Sequence, residues 1–203
     1  MLFLTICDYS SLVIDIFCDN PGEAGEDNAV ACFYFDSGAQ KEQSAMNVLG
    51  ALLKQVVSSL DQIPEEITDE FRRHKKFIGG RDLQLSEIVM MLGSVSSTQR
   101  TFLFLDALDE CAGPDRDKVL LSLKDIIEMS PTTRVFLTGR PYVGDEVAKH
   151  FPEGTTLLSI SPPTEDIIRY IRAKLAEGIS SGEMDLELES EILEEIPENA
   201  SEM

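Results

Sequence analysis

Three carboxylates, Asp106, Asp109 and Glu110, stand within five positions directly after the apolar run Thr101-Phe102-Leu103-Phe104-Leu105. A hard, oxygen-seeking ion such as Mg²⁺ takes one or two carboxylates together with phosphate oxygens, so a carboxylate at the mouth of a site suits it. The plainer reading of the same stretch is a core strand running into an acidic, solvated loop. A second apolar run follows, Arg134-Val135-Phe136-Leu137-Thr138-Gly139-Arg140-Pro141, and it too ends in polar groups, Thr138 and Arg140.

The elements that position these residues can be read from their patterning. An unbroken apolar run this short suits a strand buried on both faces, as in the middle of a parallel sheet. The C-terminal end of such a strand is where open α/β sheets place ligands. Between the two runs, Asp115 to Met129 carries Val119, Leu120, Leu123, Ile126 and Ile127 at helical spacing. Strand, helix and strand in that order make parallel neighbours with a right-handed crossover, so Asp106 and Arg140 emerge at one sheet edge. Further strands are expected over 29–36 and 155–160, giving four in all with 101–106 and 133–138. Asp36 closes the first of these, and a strand-ending cap is its expected role. Helices are expected over 10–17, 41–60, 64–77, 83–95 and 143–151. Another opens at Thr164, a candidate N-cap with Glu165 and Asp166 in the first turn, and a last one spans 185–196. Lys41 to Leu60 is the clearest, with Leu49, Leu52, Leu53, Val56, Val57 and Leu60 on one stripe. Pro64 to Phe77 ends in Arg72-Arg73-His74-Lys75-Lys76, a run read as helix-end charge, and Gly79-Gly80 then breaks the chain.

Composition bounds the function. The 203 residues allow one α/β domain with a sizeable core. The net charge is −20, and residues 177–203 hold ten Asp and Glu with no Lys or Arg. Such a balance repels nucleic acid and anionic membranes, and no apolar run approaches the roughly 20 residues of a membrane span. Cys7, Cys18, Cys32 and Cys111 have no CxxC spacing and only His74 and His150 accompany them, so a zinc site is not expected. A reducing, cytoplasmic setting is the expectation. No G-x-S-x-G elbow supports a Ser-His-Asp hydrolase.

Leu103-Phe104-Leu105-Asp106-Ala107-Leu108-Asp109-Glu110 resembles the Walker B segment of NACHT-type STAND NTPases, and Leu137-Thr138-Gly139-Arg140-Pro141 resembles their sensor strand. The closest likeness is to the fungal kind described as nephrocystin-3-like N-terminal domains, found in proteins with ankyrin or WD repeats. Ala29 to Asp36 with Gln40 is similar to the family's second strand, and Ser161-Pro162-Pro163-Thr164 to its linker into a helical lid. The resemblance implies a three-layer α/β fold with a parallel sheet of P-loop NTPase type. It implies a nucleotide-binding core over 1–161 and the start of an acidic lid over 162–203. It also implies Mg²⁺ with ATP or GTP. Asp106 would hold Mg²⁺ through water, Asp109 or Glu110 would orient the attacking water, and Thr138 and Arg140 would bind cofactor, with Arg140 reading the terminal phosphate. Partners would be proteins, through flanking effector and repeat domains, with oligomerisation in the intact relative and neither nucleic acid nor membrane.

One part of the pattern is missing. A phosphate cradle takes backbone N–H groups and a lysine from a G-x-x-x-x-G-K-[ST] loop, and no such loop occurs. The signature should fall near Thr5 to Cys7, where the chain reads Thr5-Ile6-Cys7-Asp8. Weak nucleotide binding is therefore expected, from either a truncated piece of a signalling NTPase or a degenerate copy serving as a scaffold. The first strand of the sheet is also expected to be absent, with Leu2 to Ile6 a makeshift substitute that the pattern gives little support. In this class that strand sits mid-sheet, with 155–160 on one side and the Walker B and sensor strands on the other. Without it two edges would be left unpaired, and the expectation is poor solubility and no sharp melting.

Overall fold

A computed structural model describes residues 2–4, 10–19, 28–65, 67–69, 72, 83–152, 154–158, 163–178 and 185–200. They fall into two compact units, Met1–Ser159 and Ile160–Met203. The first unit contains five strands: β1 Leu2–Leu4, β2 Asn28–Tyr34, β3 Arg100–Asp106, β4 Arg134–Thr138 and β5 Thr156–Leu158. They form one sheet in the order β2-β3-β4-β1-β5, and every neighbouring pair is parallel.

The slot left vacant by the sequence reading is filled. Leu2, Phe3 and Leu4 lie opposite Phe136, Leu137 and Thr138 on one side and Thr156, Leu157 and Leu158 on the other. Three residues are too few for alternation or run length to register as a strand. What makes them one is the pair of open edges on β4 and β5, whose ladder groups a strand between them satisfies. The expected unpaired edges are corrected by this pairing, which removes the ground on which poor solubility and no sharp melting were expected. The order itself is the one expected: β5 lies on one side of β1 and β3 and β4 on the other. The fold is α/β with a five-stranded parallel sheet, in the strand order that the resemblance implies.

β3 is buried from Thr101 to Asp106 because both of its faces are covered. Phe102 and Phe104 turn to one face, where Val13, Ile14 and Phe17 of helix α1 (Ser10–Asp19) meet them. The Phe17 ring sits 4.6 Å from Phe102, and Phe104 stacks on Phe136 at 4.6 Å. Leu103 and Leu105 turn to the other face, into a larger core. That core is built from α2 (Ala45–Ser58), α3 (Leu85–Ser96), α4 (Gly113–Met129) and α5 (Pro141–His150). Leu49, Leu52, Leu92, Leu120 and Leu123 are fully buried there, each worth about 1.5–3 kcal/mol. Three layers result, as expected.

Caps set the helix starts. The Ser44 hydroxyl accepts from Asn47 N–H at 3.3 Å before α2, and Gln84 and Glu87 close a capping box on α3. Of the helix expected over 64–77, residues 64, 65, 67–69 and 72 are described, and Arg72 pairs with Asp69 at 3.1 Å. The rest of the basic run, and Gly79-Gly80, lie outside the described residues. The second unit holds α6 (Thr164–Gly178) and α7 (Leu186–Ala200), which pack on each other. Thr164, expected as a cap, is already helical: the Pro163 carbonyl accepts from Asp166 N–H at 2.9 Å. Among the described residues no helix is long and apolar enough to cross a membrane.

Candidate functional site

β3 and β4 end side by side, and their last residues are joined by a side chain. The Thr138 hydroxyl donates to Asp106 Oδ1 and accepts from Ala107 N–H at 2.9 Å. A hydroxyl has one proton and two lone pairs, so this arrangement uses the proton for the carboxylate and a lone pair for the amide. Both side chains are buried, with Asp106 at 9% and Thr138 at 4% exposure, where a hydrogen bond to a charged group is strongest. The bridge holds the Asp106 carboxylate at the sheet edge.

Beyond Asp106 the chain turns sharply. Ala107 takes the left-handed conformation, φ 56° and ψ 47°, which costs a residue with a Cβ about 1–2 kcal/mol. Leu108–Glu110 then form one 3₁₀ turn, anchored by a fully buried Leu108. The turn sends its two carboxylates to different partners. Asp109 Oδ1 accepts from Arg140 N–H at 3.2 Å and Asp109 Oδ2 lies 3.3 Å from Arg140 Nε. The Asp109 side chain is 8% exposed and that of Arg140 is 73% exposed, so the acid is fixed and the arginine tip is wet. Glu110 Oε2 accepts from Ser37 N–H at 2.8 Å, and the Glu110 carbonyl accepts from Gln40 Nε2 at 2.9 Å. The acidic loop thus spans from the end of β2 to the end of β4.

Two neighbours stiffen the loop from below. Arg116 of α4 donates through Nη1 to the Cys111 carbonyl at 3.0 Å and through Nε to Glu146 of α5 at 2.8 Å. Cys111 itself is buried. Burial pushes its thiol up to about 11, with Arg116 pulling the other way and Asp115 and Glu146 adding to the rise. A protonated thiol is a poor nucleophile and a poor metal ligand, so its contribution is packing.

All five residues singled out in the sequence, Asp106, Asp109, Glu110, Thr138 and Arg140, therefore meet at the C-terminal edge of β3 and β4. Asp36 caps as expected: its Oδ1 accepts from Gly38 N–H at 2.8 Å, opening the 3₁₀ stretch Ser37–Glu42. Sequence reasoning passed over Ser37, Arg116 and the left-handed Ala107. None carries a local signal, since a backbone N–H belongs to every residue and nothing marks an alanine for positive φ. The expected phosphate-loop position, Thr5 to Cys7, lies outside the described residues. Among the described residues no group of three or more His, Cys, Asp and Glu is arranged to hold a metal.

The family model described as Nephrocystin 3, N-terminal, matches residues 9–140, well over half of the chain. The chain belongs to this family. The matched span of this nephrocystin 3 N-terminal domain runs through Asp106, Asp109, Glu110 and Thr138 and ends on Arg140. No curated protein matches the chain. Among solved structures, a Walker-type ATPase of Pyrococcus abyssi is similar with a TM-score of 0.46 and 13% identity, over 95% of this chain and 57% of that one. The Orc1 protein of Aeropyrum pernix, solved in complex with DNA, gives 0.47 and 12%, over 95% of this chain and 47% of that one. A DNA replication initiation factor gives 0.40 and 13%, over 99% and 52%. The chain spans about half the length of these structures.

Proposed function

We propose that residues 1–161 form the nucleotide-binding core of a NACHT-type STAND switch, and that 162–203 begin its helical lid. One observation carries the reading. The acidic turn after β3 and the residues after β4 close on each other at the ligand edge of a parallel sheet, Thr138 on Asp106 and Arg140 on Asp109. Such an edge is where α/β sheets work. In this reading Asp106 is the Walker B carboxylate that would hold Mg²⁺. A carboxylate beside a hydroxyl is a hard oxygen set and suits that ion. Mg²⁺, when bound, neutralises charge on the phosphoryl oxygens of ATP or GTP. Glu110 is favoured over Asp109 for orienting water, because both Asp109 oxygens are engaged by Arg140. Arg140 reads the terminal phosphate at the expense of that ion pair. Effector and repeat domains would supply the protein partners, in a cytoplasmic setting.

The phosphate grip fits less well. Between β1 and α1 the sequence Thr5-Ile6-Cys7-Asp8-Tyr9 has neither glycine nor lysine and carries an acid. Weak nucleotide binding by the chain itself follows, and calorimetry with ATP or GTP in millimolar Mg²⁺ tests it. A dissociation constant near 1 μM, about −8 kcal/mol, would sink it. In a variant given a Gly-Lys-Thr loop between β1 and α1, Asp106→Ala should abolish Mg²⁺-dependent turnover, and Arg140→Ala should narrow the preference for tri- over diphosphate. Equal losses of both nucleotides in Arg140→Ala would contradict its role. A second reading, a scaffold without catalysis, is favoured by the engagement of both Asp109 and Glu110 with protein groups. A loop-restored chain that folds yet shows no Mg·ATP-dependent rise in melting temperature supports it.

A further inference from the structure

β2 is the outer strand of the sheet, so alternate residues turn their N–H and C=O groups away from β3. Phe35 faces inward, its N–H donating to the Asp106 carbonyl at 3.0 Å. Cys32 and Asp36 have the opposite parity and face outward, toward no strand among the described residues. Each is met by a glutamine side chain instead. Gln55 of α2 accepts from Cys32 N–H at 3.0 Å and donates to the Cys32 carbonyl at 2.9 Å. Gln43 repeats the pattern four residues on, accepting from Asp36 N–H at 3.2 Å and donating to the Asp36 carbonyl at 3.1 Å. Two primary amides stand where the peptide groups of a next strand would be.

The second of these pairs borders the site. Gln43 is 7% exposed and sits just before α2, so its amide is held by the body of the fold. With the Asp36 peptide fixed on both sides, the next N–H, that of Ser37, is aimed at the Glu110 carboxylate. Gln40, three residues further, holds the Glu110 carbonyl. We infer that Gln43 and Gln40 are positioning residues for Glu110: one sets the backbone donor that grips its carboxylate, the other anchors its main chain. A glutamate side chain has three rotatable bonds, and a grip at both ends removes most of that freedom. The inference rests on the proposed role of Glu110, and neither glutamine need touch nucleotide or Mg²⁺.

Amide hydrogen exchange on the 203-residue chain tests the grip without any ligand. Gln43→Ala should speed exchange at Ser37 by about ten-fold or more, as should Glu110→Ala, and the double variant should add little. Gln55→Ala, the same device away from the site, should speed Cys32 and leave Ser37 alone. An unchanged Ser37 in Gln43→Ala overturns the inference, as does a Ser37 change that appears only together with faster exchange across the whole core. Gln40→Ala, at an exposed position, covers the case in which Gln43→Ala fails to fold: it should speed Ser37 alone, and an unchanged Ser37 refutes the anchor. In the loop-restored variant, Gln43→Ala and Gln40→Ala should lower kcat by about ten-fold with KM nearly unchanged. Full kcat in both overturns the positioning role. If the loop-restored chain turns over no nucleotide at all, the proposed function fails, and the exchange result alone decides the grip.

Discussion

Thr138→Val removes one oxygen and with it both ends of the bridge between β3 and β4. The substitution keeps the β-branch and nearly the volume, so the loss is confined to polar contacts. The Asp106 carboxylate loses a donor, and a hydrogen bond to a charged group is worth about 1.5–3 kcal/mol. Ala107 N–H loses its acceptor, and a buried unsatisfied amide costs about 1–3 kcal/mol. Asp106 at 9% and Thr138 at 4% exposure leave water little access to repair either one. The added methyl returns about 0.8 kcal/mol. The net expectation is a destabilisation of about 2–5 kcal/mol, a large share of a typical total of about 5–15 kcal/mol. Urea unfolding of wild type, Thr138→Val and Thr138→Ser at matched m-values measures it. Serine keeps the hydroxyl and sheds a methyl, so it should cost about 1 kcal/mol. A double-mutant cycle with Asp106→Ala should show coupling above about 1 kcal/mol. A Thr138→Val chain within about 1 kcal/mol of wild type, or a Thr138→Ser chain equally damaged, would refute the bridge.

Phe3→Pro deletes an N–H from a strand paired on both sides, opposite Leu137 and Leu157, and should broaden or abolish the thermal transition seen by circular dichroism; an unchanged sharp melt would count against β1. Ala107→Val places a β-branched residue at φ 56° and should cost about 1–3 kcal/mol in urea, while Ala107→Gly should cost less than about 1 kcal/mol; equal effects would argue against the left-handed turn. Cys111 has a folded-state value raised to about 11 from an ordinary 9.0, so its contribution is complete below pH 9 and is lost as pH rises toward 11. Wild-type stability should fall across that window and Cys111→Ala should flatten the fall, as read by urea midpoints at stepped pH.

How much of this was legible in the sequence differs by element. The apolar run before Asp106 marked β3 as a strand covered on both faces, because the five residues Thr101 to Leu105 show no apolar–polar alternation and so offer no solvent face. The stripe from Leu49 to Leu60 marked α2, and the strand, helix and strand from Thr101 to Thr138 dictated a parallel crossover. With handedness set, the meeting of Asp106, Thr138, Asp109 and Arg140 at one edge was already implied. The charge of −20 likewise belongs to the chain before it folds.

Tertiary structure decided the rest, wherever a residue's role depends on a partner far along the chain. Leu2–Leu4 is a strand because β4 and β5 flank it more than 130 residues later, and no local pattern of three residues encodes that. Glu110 and Asp109 are adjacent acids of the same kind in sequence, yet one finds Ser37 across 73 residues and the other Arg140 across 31. Gln43 and Gln55 read as ordinary polar helix residues until the outer position of β2 gives their amides a backbone to complete. Periodicity and run length report which face of an element leaves water. The identity of the group waiting on that face is settled only when distant segments close on one another.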